Sequence, residues 1–482
     1  MRKIIYYYSH GESQFSKGAG KMVSSAVIVK ALDDSKMTAR MLIVFLIASI
    51  SYFIELYSVG SISSVLPVLI KTYHLTGVTT GLIITMAGVG AVIGAILSGT
   101  ISDYVGRRYL FVLSTLIYAI GSLVSAYASN YSMLLLGRIV DGFGAGAITP
   151  IILTYVTEFV PARRRGVLVP FAVVFSVISI PVAPYIALLT IPSLSFRGVF
   201  LFGGIMGLML AAVSFALLPE SIRFLLRKGK LGKAEKLARK VVDPQTMETT
   251  IRNPPPKGIT DATKVRWTDI FKRGYIKSTF GAYLIAICHG TAIFGLGGFA
   301  IAVWATYAKI FTLPEALALS ALLGLLSPIG PIVTSAGLHL FKRRTWLMLA
   351  YTLMAITLGG ISFSLSTRDA LTLIAFTGGY NLVATLAFSA LATYSTELFP
   401  TQSRAMGTGV VQGVNRFGGV YGPLLFGLYI AVDYVYVYAF AAVLAFVALV
   451  LVIVTAHETR NKSLERIESE LRGEAKVLGV DE

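Results

Sequence analysis

Stretches of about 20 residues almost free of charge recur along this chain, and no other feature limits its fold so strongly, because that is the length a helix needs to cross the hydrocarbon of a bilayer. Candidate spans cover residues 41–66, 79–101, 108–128, 132–157, 166–190 and 198–218. After a polar gap come 277–307, 314–338, 345–365, 370–397, 404–431 and 434–456. That is about twelve spans, six plus six. Hydrophobic residues make up 55% of the chain and charged ones 14%, whereas a soluble domain carries about a quarter charged. The predicted fold class is an all-α integral membrane protein of two pseudo-symmetric six-helix bundles, with the lipid bilayer as its first partner.

The net charge of +18 invites a nucleic-acid reading. The basic residues, however, lie between the apolar runs rather than on a soluble face, so no nucleic-acid partner is expected. One set of loops carries Arg107–Arg108, the Arg163–Arg165 run, the segment from Arg223 to Lys277, and Lys342–Arg344. The alternate set is short and nearly uncharged. By the positive-inside rule both termini and the central loop are cytoplasmic, in the plasma membrane. The expected organisation is an N-terminal tail (1–38), a first bundle (39–218), a central loop (219–276), a second bundle (277–457) and a C-terminal tail (458–482). The tail lacks a signal-peptide h-region, and Met22 is an alternative start. Within the loop, Leu231–Val242 reads as a short basic amphipathic helix, and Asn253-Pro-Pro-Pro breaks it.

An internal repeat supports the two-bundle division. Tyr155, Glu158, Pro161 and Arg165 follow the same spacing as Tyr394, Glu397, Pro400 and Arg404, at the end of each half's fourth span. Pro219-Glu220-Ser221 closes the sixth span and His457-Glu458-Thr459 the twelfth. Two parallel halves related about the membrane normal are a transporter architecture.

Chemistry of other kinds finds no footing. Cys288 is the single cysteine and the 5 histidines are scattered, so neither a disulfide nor a metal site is expected. No phosphate-binding Gly-x-x-x-x-Gly-Lys-Ser/Thr loop and no Gly-x-Ser-x-Gly nucleophile motif is present, so no cofactor and no enzymatic activity are expected. Gly142-x-Gly144-x-Gly146 lacks the βαβ context of a dinucleotide turn; it and Gly90-x-x-x-Gly94 read as close helix packing.

The motifs resemble those of the major facilitator superfamily, in particular its sugar-porter and metabolite or organic-ion branch. Gly99-Thr-Ile-Ser-Asp103-Tyr-Val-Gly106-Arg107-Arg108 is similar to that family's loop between helices two and three, and Gly137-Arg138-x-x-x-Gly142-x-Gly144-x-Gly146 to its fourth-helix motif. Pro219-Glu220-Ser221-Ile-Arg223-Phe-Leu and His457-Glu-Thr-Arg-Asn-Lys-Ser-Leu-Glu resemble its signatures after helices six and twelve. The sugar-porter motifs of helices seven and ten are missing, with Cys288-His-Gly-Thr and Ala387-Phe-Ser-Ala in their places. The resemblance implies an alternating-access carrier that is not an enzyme. It also implies an acid in helix one that carries protons, faced by an arginine of helix four.

Within that frame the polar residues sort by depth. Glu55 lies well inside the first span, where a charge costs several kcal/mol unless paired, hydrated or protonated; this makes it the candidate proton carrier, with Arg138 as its expected partner. Asp141 either neutralises Arg138 or competes with Glu55 for the proton. Arg416 has no acid in its own helix and suits an anionic substrate, since guanidinium grips carboxylate bidentately; its other reading is pairing with a carbonyl or a remote acid. Asn415, Gln412, Asn381, His289 and Tyr57 are further candidates for the substrate cavity, set between helices one, four, seven, ten and eleven. Asp103, Arg107, Arg108, Glu158, Arg165, Glu220, Arg223, Glu397, Arg404 and Glu458 form an expected cytoplasmic gate. The expected function is proton-coupled symport of a small organic anion by a monomer. Sugar or polyol transport, and nutrient sensing on a transporter fold, are the rivals.

Overall fold

The computed structural model describes residues 23–254, 276–399 and 404–459. Eleven helices among them are long and apolar enough to cross a bilayer. Arg404–Val432, 29 residues with Arg416 and Pro423 inside, packs among them as the twelfth member of the bundle. The first half is α1 (Ala39–Tyr73), α2 (Gly77–Val105), α3 (Arg107–Ala126), α4 (Tyr131–Phe159), α5 (Ala162–Leu194) and α6 (Arg197–Leu217). In the second, α7 runs Ile276–Gly290 and loosens into the π-helical turn Thr291–Gly295. α8 comes in two pieces, Leu313–Gly324 and Ile329–Leu340, and is followed by α9 (Arg343–Thr367), α10 (Ala370–Leu398), α11 (Arg404–Val432) and α12 (Tyr434–Thr455). Side-chain caps mark several helix starts: Thr38 accepts from the Met41 amide at 3.3 Å, and Asn130 from the Met133 amide at 2.8 Å.

Small residues set the helix spacing where no hydrophobic drive between helices operates. A Cβ on Gly90 or Gly94 would meet the Ile139 or Phe143 carbonyl, and one on Gly142 or Gly146 the Ala87 or Ala91 carbonyl. α2 and α4 therefore touch backbone to backbone. The same device joins the halves: Gly77 lies against Gly427, Gly81 against Pro423 and Gly88 against Gly419 along α2 and α11. The Thr85 hydroxyl adds a hydrogen bond to the Val420 carbonyl at 2.8 Å. α5 meets α8 where Pro181 abuts Gly324. These seams run from mid-depth to the end of the bundle away from the central loop.

The opposite end is braced by two matched charge clusters. Glu220 accepts from the Arg107 and Arg108 amides at 2.9 and 3.4 Å, and Glu458 from the Arg343 and Arg344 amides at 2.9 and 3.2 Å. Each carboxylate thus sits on a helix N-terminus, where the dipole favours it. Arg107 lies 3.8 Å from Glu158, and Arg343 pairs with Glu397 at 3.0 Å. Arg108 and Arg344 each donate to a carbonyl, of Phe215 and Ile453, at 2.6 Å. Gly106 makes the first cluster possible, because its φ of 107° and the close approach of Glu220 leave no room for a side chain.

The region expected to be a tail folds further than its sequence suggested. Ser25–Asp34 is a helix burying Val27, Ile28, Ala31 and Leu32. It docks on the helices Leu231–Val241 and Pro244–Arg252 of the central insert, beside Ile222–Arg227. Arg223 pairs with Asp33 at 2.9 Å, and the Thr38 hydroxyl donates to the Val241 carbonyl at 2.7 Å. Four short apolar side chains on one face were too brief a signal to stand out beside the membrane spans.

Candidate functional site

A pocket lies between the halves, lined from α1, α2, α4, α7 and α11. Its walls are aliphatic (Val59, Ile62, Ile84 and Val92 among them) with Phe294 from the second half, and the charges it presents are Glu55, Arg138 and Arg416. α2 therefore takes the place that the sequence reading gave to α10.

Glu55 sits near the middle of the 35-residue α1 and Arg416 near the middle of the 29-residue α11. Their side chains form an ion pair that joins the two halves across the pocket. The second carboxylate oxygen of Glu55 accepts the Thr149 hydroxyl of α4 at 2.7 Å. Both partners are largely shielded, with side-chain exposures of 13% and 27%. In such surroundings losing one partner leaves the other without compensation.

This corrects the expected Glu55–Arg138 pair. Arg138 is 1% exposed and bonds within its own helix to Asp141 at 2.5 Å. Its other guanidinium nitrogen donates to the Ser58 carbonyl at 3.1 Å, and the Ser58 hydroxyl donates to Asp141 at 3.0 Å. Spacing explains the outcome: residues three apart on a helix face each other, so Asp141 satisfies Arg138 locally and Glu55 is left for a cation from the other half. Asp141 thus takes Arg138 and Ser58 as its partners.

The remaining cavity candidates lie elsewhere. Tyr57 is fully buried, its hydroxyl bonded to the Val199 carbonyl at 2.9 Å and its ring stacked on Phe53. Asn415 is buried and donates to the Ala286 carbonyl at 3.0 Å. His289 is buried, edge-on to Tyr351 and stacked on Phe388. Gln412 and Asn381 are half-buried and are not among the pocket's lining residues. Apolar packing and carbonyl acceptors of neighbouring helices hold Tyr57, Asn415 and His289, so depth in the sequence alone did not place them in the cavity. Sequence reasoning missed Thr149, Ser58 and Phe294; a threonine or serine in a small-residue helix gives no sign of its direction.

Of the expected gate, Arg107, Arg108, Glu158 and Glu220, and likewise Glu397 and Glu458, form the end clusters described above, and their contacts named there stay within one half; Arg223 pairs instead with Asp33. The side chains of Asp103, Arg165 and Arg404 lie outside the described residues. Glu158 also accepts the Ser221 hydroxyl.

The match that decides the family covers most of the chain: the Major Facilitator Superfamily model aligns with residues 48–423 and 340–478. The chain belongs to the Major Facilitator Superfamily. It is a membrane transporter and not an enzyme. It is 25% identical over 437 residues to the niacin transporter NiaP of Acinetobacter baylyi, covering 87% of this chain and 95% of the relative. It is 26% identical over 404 residues to the 4-hydroxybenzoate transporter PcaK of the same organism, covering 81% and 85%. The inward-open xylose transporter XylE from E. coli shares the fold, with a TM-score of 0.72 at 17% identity, over 89% of this chain and 99% of that one.

Proposed function

We propose that this chain is a proton-coupled symporter of a small organic anion that works by alternating access, with Glu55 as the proton site and Arg416 as the anchor for the solute. The observation that carries this reading is the Glu55–Arg416 pair, because it ties one half to the other at mid-depth. Any event that changes the charge on Glu55 changes what holds the halves together, which links proton occupancy to conformation. The aliphatic lining suits an organic body better than a polyhydroxylated one, which would leave its hydroxyls without partners. Relatives named for niacin and 4-hydroxybenzoate, both small aromatic acids or their close kin, support the same class.

Both termini and the central insert lie on the cytoplasmic side, and one chain holds the whole pathway. The two charge clusters at the central-loop end form the inner gate when the halves rock together, exchanging some contacts within a half for contacts across it.

Glu55→Gln tests the reading in reconstituted vesicles. It keeps a hydrogen-bonding group beside Thr149 but cannot change charge. Accumulation driven by a pH gradient disappears while counterflow exchange of labelled solute continues. Accumulation that survives unchanged overturns the assignment of Glu55.

A further inference from the structure

Two acids and two arginines pair at the centre of this carrier. Glu55 balances Arg416 across the pocket and Asp141 balances Arg138 beside it. α11 supplies Arg416, α4 supplies Thr149 and, on the same pocket wall, Arg138 held by Asp141, and α1 itself supplies Tyr52, one turn earlier and within electrostatic reach of both Glu55 and Arg416. α2 and α7 present Ala87, Gly88, Ala91 and Phe294, none of which titrates. The Arg138–Asp141 pair is 1% exposed at both partners, whereas Arg416 and Glu55 keep 27% and 13% exposure on the pocket, so the second pair stays fixed while the first is open to exchange.

We propose that a monocarboxylate replaces Glu55 on Arg416 while one proton neutralises Glu55, so that the carrier crosses between its two states only with a site of zero net charge. This rests on the coupling reading above and adds to it the substrate class, the stoichiometry and the electrical character of transport. The balance is explicit. A proton from water converts the Glu55 carboxylate to the acid and leaves Arg416 with an unmatched positive charge. The carboxylate of the solute then takes that guanidinium, two oxygens against its fork of N–H donors. Loaded carrier (neutral Glu55, solute anion, Arg416) and empty carrier (Glu55 anion, Arg416) both carry zero. A proton without solute leaves the site at plus one, and solute without a proton leaves it at minus one. A pocket walled by Val59, Ile62, Ile84, Val92 and Phe294 penalises either. Slippage is thereby suppressed without any separate gate.

Two consequences follow for recognition. A neutral amide of the same shape cannot take the place of Glu55, because nothing then balances Arg416. A dicarboxylate brings one charge too many. Arg416 thus sets specificity by charge number, and the aliphatic wall with Phe294 sets it by shape.

The test uses the full chain in proteoliposomes and, in detergent, thermal stabilisation by nicotinate, nicotinamide, 4-hydroxybenzoate, 4-hydroxybenzamide and the dianion terephthalate. At least one of the two monoacids stabilises the carrier at concentrations tenfold or more below its amide and below terephthalate, and Arg416→Gln removes that preference. A pH gradient, inside alkaline and with potential clamped at zero, accumulates the acid about tenfold per pH unit, as one proton per solute requires. A valinomycin-imposed potassium potential at equal pH accumulates none. Accumulation driven by the potential as well as by the pH gradient overturns electroneutrality and leaves proton coupling standing. Uptake that merely equilibrates under both gradients overturns the coupling reading and this inference together. Neither acid stabilising the carrier better than its amide overturns the substrate class, whichever way the gradients behave.

Discussion

Thr149 and Arg416 hold the two oxygens of Glu55 from different halves of the molecule, and this makes the carboxylate sensitive to both. Removing one member of a shielded pair leaves the other without compensation, whereas removing both does not. Glu55→Gln and Arg416→Gln each lower the thermal stability of the purified carrier, and the double variant is more stable than the sum of the two losses requires. The coupling energy expected from the cycle is about 1–3 kcal/mol, read from unfolding midpoints with two-state transitions. Additive losses show that the pair does not act as a unit. His289 gives the opposite expectation. It is buried, and neither ring nitrogen has a hydrogen-bond partner among the described residues, so His289→Leu leaves solute transport within about twofold and keeps or raises stability, since it removes an unsatisfied polar group. A transport loss of tenfold with unchanged stability returns His289 to the solute pathway.

The α2–α11 seam and the helix-end clusters brace opposite ends of the bundle. Gly88 faces the Gly419 carbonyl with no space for a side chain. Gly88→Val wedges that seam and biases the carrier toward the state in which the end away from the central loop is open. A cysteine introduced near that end reacts faster with a membrane-impermeant maleimide, while solute uptake falls at least tenfold. Native Cys288 is buried and adds little background. Unchanged labelling shows that the seam does not move. Glu220→Gln and Glu458→Gln each remove a charge from a helix N-terminus; each costs about 0.5–2 kcal/mol in thermal unfolding, and the two losses are similar because the clusters repeat. These clusters were legible in the sequence, since the Tyr-x-x-Glu-x-x-Pro spacing and the two Glu-Ser/Thr endings occur once in each half. The membrane spans were legible for a simpler reason, because length and apolarity decide them. The docking of Ser25–Asp34 on the insert was not, since it depends on four side chains meeting partners some 200 residues away, as Asp33 meets Arg223.

For the whole molecule, the sequence named the ionisable residues of the centre and mispaired two of them. Arg138 and Asp141 are a local pair that helix periodicity alone can assign, whereas Glu55 and Arg416 belong to different bundles. Which acid meets which cation across the halves is a property of how the bundles dock, and no spacing within either half encodes it. Under the proposed function, the docked arrangement makes proton binding and solute binding one event at one pair of side chains. Proton and solute fluxes recorded together test that most directly. In lightly buffered proteoliposomes a pulse of external solute enters, and a pH electrode reads the protons that leave the medium with it. One proton per solute in the native chain, and exchange of solute with no proton movement in Glu55→Gln, is the result expected. Solute entry without protons in the native chain, or proton flux that persists undiminished in Glu55→Gln, contradicts the account.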